Sequence, residues 1–235
     1  MNIKLPKDVI YILQQLENGG FSAYVVGGCV RDALLGKAPQ DWDICTSALP
    51  QQVINTFSDY RVIKTGIKHG TVTLMLNDSM YEITTFRTEK GYSDNRRPDT
   101  VKFVADIKED LSRRDFTINA MAYNPKYGFI DLFGGLADLD MHIIRTVGNA
   151  DVRFNEDALR ILRALRFSAK LCFNIEKSTA ASVHHNKSLL NNIAVERIFA
   201  EFKQLLLPEN AVNVLREYQD VISVFIPEIS SMRGF

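Results

Sequence analysis

Asp41 and Asp43 flank a tryptophan in the run Asp41–Trp42–Asp43–Ile44–Cys45, which alternates polar and apolar residues. On a strand this alternation places both carboxylates on one face, with Trp42 and Ile44 on the other. Carboxylates paired in this way can hold divalent metal ions. Upstream, Tyr24–Val25–Val26 is a β-rich run that stops at Gly27–Gly28, and Cys29 to Leu35 follows as a short helix with Gly36 as its C-cap. A glycine turn that opens a helix lets backbone N–H groups approach a triphosphate, and Arg31 adds positive charge there. Each half is weak alone, since an isolated Asp-x-Asp is commonly a solvated turn and an isolated Gly–Gly a tight turn. Their order, with the acidic strand behind the glycine turn, points to a metal-dependent nucleotide site.

Three further clusters carry polar groups in suggestive places. Glu82 is the only acid of the run Tyr81 to Phe86. Beside the Asp41 strand it becomes a third carboxylate for the metal, and otherwise it is an exposed strand residue. In Leu111 to Tyr123, Phe116, Ile118 and Met121 are positioned to pack inward, which leaves Arg114, Asp115 and Asn119 beside a core segment. Burial of such groups without partners is costly, so a ligand or a structural salt bridge must serve them. From Asn155 onward, Ala158, Ile161, Leu162, Leu165 and Ala169 form the apolar stripe of a helix, with Arg160, Arg163 and Arg166 on another face. Asn155 reads as its N-cap, with Glu156 and Asp157 in the first turn. Spacing alone gives a capped amphipathic helix with an Asp157–Arg160 pair.

The elements that position these groups read as a mixture of strands and helices. Lys7 to Glu17 is an amphipathic helix; Pro50 to Phe57 is another. Arg61 to Lys64, Thr71 to Leu76 and Tyr81 to Phe86 are strands, the last two joined by a hairpin turn at Asn77–Asp78. Arg87 to Asp99 reads as a long polar loop in which Arg96 and Arg97 either contact RNA or phosphate or are simply solvated. Ile143 to Val147 is a short strand. Glu176 to His184, Val195 to Leu207 and Ala211 to Ile226 are further helices, and His184 and His185 read as surface residues with no partner at metal-ligand spacing.

At 235 residues, with 46% hydrophobic and 24% charged residues, the chain has the composition of a globular protein of one large or two small domains. A formal net charge of zero argues against a generally basic nucleic-acid binder, so any such contact must rest on a local patch. The three widely spaced cysteines, Cys29, Cys45 and Cys172, indicate reduced thiols and a cytoplasmic setting. No apolar run is long enough for a membrane span and no signal peptide is evident.

Several of these runs resemble one family. GGCVRD followed by DWDI resembles motif A of the class II tRNA nucleotidyltransferases, the CCA-adding enzymes of the polymerase-β superfamily. TGIKHGTVTLML with YEITTFR is similar to the same enzymes. RRDFTINAMA resembles motif B, FIDLFGGLADL around Asp131 motif C, EDALR motif D and AVERIFAE motif E. Two positions depart from the usual pattern: Ala158 stands where the family often has Pro, and Ala194 where it usually has Ser, a lost hydroxyl at a helix start.

The resemblance implies an α+β fold: a head of residues 1–142 with a small mixed sheet, a helical neck of 143–207 carrying the nucleotide-selecting helix, and the start of a helical body at 208–235. It implies template-independent addition of C, C and A to the tRNA 3′ end from CTP and ATP, with release of pyrophosphate. Asp41 and Asp43, with Glu82, are then the ligands of Mg²⁺. Gly27, Gly28 and Arg31 bind phosphates. Arg114, Asp115 and Asn119 read the ribose, and Asp157 and Arg160 select the base, with Arg163 a further contact. Asp157 only accepts and Arg160 only donates, which suits the amino group and adjacent acceptors of C or A and refuses U and G. The partners implied are tRNA, CTP and ATP, with neither a membrane nor a protein partner evident. Addition of A alone, or a binding module without catalysis, are the readings that stand beside it. Relatives of this kind continue well beyond the length seen here.

Overall fold

The structure, a computed structural model, describes residues 2–91 and 100–231. Contacts divide the chain into two compact units. The first comprises the described residues within Met1–Glu89, Val101–Arg114 and Ile118–Leu136; the second comprises those within Lys90–Thr100, Asp115–Thr117 and Ala137–Phe235.

In the first unit, α1 (Lys7–Asn18) presents Val9, Ile12, Leu13 and Leu16 as its buried stripe. It is followed by β1 (Ala23–Val26), α2 (Gly28–Leu34), β2 (Ile44–Thr46), α3 (Pro50–Thr56), β3 (Arg61–Ile63), β4 (Thr71–Leu76) and β5 (Ser79–Thr85). Next come β6 (Arg87–Lys90), β7 (Thr100–Phe103), α4 (Ile107–Ser112), β8 (Met121–Asn124) and β9 (Gly128–Asp131), while α5 (Gly135–Asp140) starts in this unit and ends in the second. Seven strands form one sheet in the order β3-β4-β5-β2-β1-β8-β9. Only β2 and β5 run parallel; the other neighbours are antiparallel. Asn77 and Asp78 both take positive φ, the conformation that a two-residue hairpin between β4 and β5 demands. One side of the sheet carries a cluster of Val26, Cys45, Phe86, Leu111 and Ala122, against which Tyr24, Val104 and Phe133 pack.

Two expectations change here. The acidic strand is shorter than its alternation predicts, beginning at Ile44 rather than Asp41. Val25 pairs with Ile44 and the Val26 N–H still donates to the Asp43 carbonyl, but Gly27 then turns the chain away at φ +82°. Asp41 and Trp42 have no β1 residue left to pair with. The polar stretch from Arg87 begins as a strand, because Arg87–Lys90 pairs with Thr100–Phe103 in a two-stranded ribbon. Arg96 and Arg97 lie outside the described residues.

The second unit contains β10 (Ile143–Ile144), α6 (Ala150–Glu156), α7 (Leu159–Leu171), β11 (Asn174–Ile175), α8 (Lys177–Asn186), α9 (Val195–Leu206), α10 (Ala211–Glu217) and α11 (Gln219–Ile222). Its core gathers Phe154, Ile161, Leu165, Leu205 and Val221, with Phe116 meeting Phe167 edge to face at 5.7 Å. The helix expected from Asn155 is two helices. Asn149 caps α6 through its side chain, so Asn155 falls in the last turn of that helix and donates to the Asp151 carbonyl. Asp157 then takes an extended conformation and breaks the run, and α7 starts at Leu159. The long helix expected to Ile226 likewise breaks at the buried Tyr218. His184 lies at the surface, stacked on Tyr218 at 5.1 Å and 3.0 Å from Asp220.

Candidate active site

In the first unit, chain connectivity places the glycine turn against the acidic pair. Gly27 donates to the Met121 carbonyl and accepts from Arg31, which ties the turn to β8 and to its own helix. A methyl group at Gly27 would stand 2.9 Å from the Arg114 guanidinium, so the lack of a side chain there admits Arg114 to the turn. The Arg114 Nε is buried and has no acceptor among the described residues. Its Nη2 lies 3.4 Å from Asp110. Asp110 is fully buried, and burial alone raises its carboxyl, but Arg113 and Arg114 outweigh that and hold it below the usual carboxylate range. A buried Arg114 nitrogen without an acceptor among the described residues is a donor that a ligand or a water can satisfy.

Arg31 is placed differently from a free phosphate ligand. It is 4% exposed, bonds Asp32 through Nε at 2.8 Å and Asn119 through Nη1 at 2.5 Å. It therefore braces Asn119, and with it motif B, against α2. Cys29 is buried beside this turn; burial pushes its thiol up to about 11, so it stays neutral and donates to the Val26 carbonyl.

Asp41 and Asp43 are exposed, and neither carboxylate is in an ion pair among the described residues. Asp43 sits above the usual carboxylate range, chiefly through desolvation, with Arg114 opposing and Asp41 adding. Since Asp43 retains solvent access, this reflects protein atoms crowding the group rather than a sealed pocket. Glu82 occupies the position next to Asp43, because Ile83 pairs with Ile44 in the parallel ladder. Its carboxyl is raised by desolvation and then by Asp43 and Asp41. The strand neighbourhood expected for Glu82 is therefore present. Among the described residues, however, no group of three His, Cys, Asp or Glu side chains is close enough to enclose a metal ion. Two hard oxygen donors repelling each other across an open corner suit a divalent cation such as Mg²⁺.

The second unit carries the remaining candidates. Asp115 accepts from the Phe116 N–H at 2.8 Å and from Arg163 at 2.9 and 2.6 Å, and the Asp115 carboxylate raises the Arg163 pKa. The expected Asp157–Arg160 pair is not formed. Arg160 is held by Glu156 at 2.7 Å and by the Arg153 carbonyl at 3.2 Å. Asp157 accepts from the Leu159 N–H at 3.2 Å and lies 3.4 Å from Arg197. The helix break explains the exchange, because the extended Asp157 no longer sits one turn from Arg160 on a common helix face. Arg197 is the residue whose part was missed: the motif E match marked it, yet helical spacing gave no sign that α9 delivers it to Asp157. Ala194, at the start of α9, makes no side-chain cap bond.

A family model described as the poly A polymerase head domain matches residues 23–145, and one described as a probable RNA and SrmB- binding site of polymerase A matches residues 172–232. The chain is 52% identical over 207 residues to a CCA-adding enzyme of Lactobacillus delbrueckii subsp. bulgaricus, covering 88% of this chain and 52% of that protein. It is 53% identical over 209 residues to a CCA-adding enzyme of Limosilactobacillus fermentum, covering 89% and 52%. Among solved structures, the Bacillus stearothermophilus CCA-adding enzyme in complex with CTP superposes with a TM-score of 0.81 at 44% identity, covering 89% of this chain and 50% of that one. A tRNA nucleotidyltransferase complexed with a primer tRNA and an incoming ATP analog gives a TM-score of 0.74 at 34% identity, covering 95% and 63%. The chain spans about half the length of the curated relatives it matches.

Proposed function

The chain belongs to the poly A polymerase head-domain family, and from that premise we propose that it is the head and neck of a template-independent tRNA nucleotidyltransferase. On this reading it adds C, C and A to the tRNA 3′ end from CTP and ATP, in the cytoplasm, and releases pyrophosphate. The head is residues 1–142, the neck 143–207, and a helical body begins at 208. The observation that carries the reading is the pair of carboxylates, Asp41 and Asp43, without an ion-pair partner among the described residues and held where β2 meets the Gly27 turn.

Asp41 and Asp43 hold Mg²⁺, with Glu82 adding negative field at the neighbouring strand position. The ion supplies a lowered pKa for the primer 3′-hydroxyl and positive charge for the triphosphate. Gly27 and Gly28 offer backbone N–H groups to phosphate, and Arg114 brings a guanidinium whose Nε still has a donor to place. Arg31 acts through Asn119, which it orients, and Asn119 with Asp115 meets the ribose. Asp157 and Arg160 select the base. Both are held by protein partners, Arg160 by Glu156 and Asp157 by Arg197, which orient them for that task. Base discrimination of this kind is worth ~1–3 kcal/mol per unpaired polar group.

The test is primer extension on tRNA lacking CCA, with Mg²⁺ and each labelled nucleotide alone and together. Incorporation of C and then A, refusal of U and G, and loss of both in Asp41→Ala is the expected result. Incorporation of A alone on a CC-ending primer selects the A-adding reading. Binding of CTP and ATP without incorporation selects the non-catalytic one.

A further inference from the structure

Beside the acidic pair, but not part of it, the first unit holds an open groove of about 610 Å³. One wall is the N-terminal segment from Asn2 to Pro6; the other is the loop that runs from the end of α2 to Trp42. Two lysines line the groove, Lys4 and Lys37, together with Pro6, Pro39 and the half-buried Trp42; among the described residues no acid does, Asp41 and Asp43 included. The charged and aromatic lining of the groove is thus two cations and one ring.

Both walls are fixed by the fold. Ile3 and Leu5 are each 7% exposed, so the segment is anchored in alternation and Lys4 is left in solvent. The Asn2 side chain accepts from the Tyr123 hydroxyl of β8. On the other side, α2 ends in a Schellman turn: Gly36, at φ +70°, donates to the Ala33 carbonyl and Lys37 to the Asp32 carbonyl at 2.9 Å. That turn sets the direction in which Lys37 leaves the helix, and Pro39 stiffens the chain before Trp42.

A preformed groove with an aromatic ring, two cations and few directional hydrogen-bonding groups matches one kind of ligand. Single-stranded nucleic acid is bound by stacking bases on aromatic rings while cations track the phosphates, with little dependence on sequence. We propose that this groove binds the single-stranded RNA immediately upstream of the primer 3′ end, with a base stacked on Trp42 and phosphates on Lys4 and Lys37. Trp42 is the chain neighbour of both Asp41 and Asp43, which places the groove next to the acidic pair. The proposal rests on the nucleotidyltransferase reading for the identity of the strand.

Trp42 is the only tryptophan of the chain, so its emission reports on the groove directly. The experiment titrates the protein with a single-stranded RNA oligonucleotide ending in CC, following both tryptophan emission and the anisotropy of labelled RNA, at two salt concentrations. The expected result is quenching that tracks binding and weakens with salt. The double variant Lys4→Glu/Lys37→Glu is expected to lose the quench, raise the RNA Kd about tenfold and flatten the salt dependence. CTP affinity, measured by calorimetry, stays unchanged. Absence of RNA binding overturns the proposal, as does binding that leaves emission and the double variant unaffected. Nucleotide incorporation with a silent Trp42 removes the groove and keeps the catalytic reading. A charge-dependent quench without incorporation does the reverse.

Discussion

Among the described residues Asp41 and Asp43 have no ion-pair partner, whereas the candidate side chains around α7 are all engaged. At the first place the protein leaves negative charge without a counter-ion among the described residues, and Asp43 and Glu82 resist ionisation chiefly through desolvation, with the neighbouring acids adding to it. At the second, Arg160 answers Glu156, Arg163 answers Asp115, and Asp157 lies against Arg197. Uncompensated acids lower stability and create an appetite for a cation; compensated ones support the fold and yield a partner only to a ligand that offers as much. A site for metal and a site for choosing among bases call for these opposite treatments.

The contrast breaks most visibly at the acids. Asp43→Ala removes charge stabilisation of several kcal/mol and is expected to lower incorporation on the order of a thousandfold. Its melting temperature is expected to hold or rise, because a repulsion is relieved. Thermal melts beside single-turnover assays check both halves, and a large loss of stability would overturn the contrast. Asp115→Asn reverses the pattern: it strips the Arg163 pair from a nearly buried carboxylate and is expected to cost about 1–3 kcal/mol in denaturant unfolding.

Glu176 sharpens the comparison with pH. Burial raises its carboxyl, but hydrogen bonds from Ser178 and Thr179 at the start of α8 outweigh that and hold it at about 2. A carboxyl lower in the folded state than its unfolded value of about 4.3 stabilises above that value. That stability drains as pH falls toward about 2. Glu176→Gln is expected to lose about 1–2 kcal/mol at neutral pH and to show a flatter stability curve across this window in acid titration followed by circular dichroism. The smallest effect is a gain. Ala194→Ser restores a cap to α9, the helix that carries Arg197, and is expected to add about 0.5–1 kcal/mol without altering incorporation.

What was legible from the sequence follows the range of the forces involved. The β-rich run into Gly27–Gly28, the Asn77–Asp78 hairpin and the apolar stripe of α7 are local matters of backbone freedom and side-chain period, and all appear where the residues place them. The extent of the acidic strand and the start of α7 were misread because each depends on something a few residues away. Gly27 withdraws the pairing strand, and Asn149 nucleates an earlier helix that Asp157 interrupts.

Residue types alone determined that this chain carries a carboxylate pair, a glycine turn and a charged helix, because chemistry belongs to side chains and propensity to short runs. Tertiary structure alone decided which charge meets which. That Arg31 braces Asn119 rather than standing free, that Arg163 meets Asp115, and that Arg197 reaches Asp157 depend on elements brought together by burial of apolar surface. Burial fixes a geometry in which the long side chains take the nearest opposite charge, and linear spacing does not encode that distance.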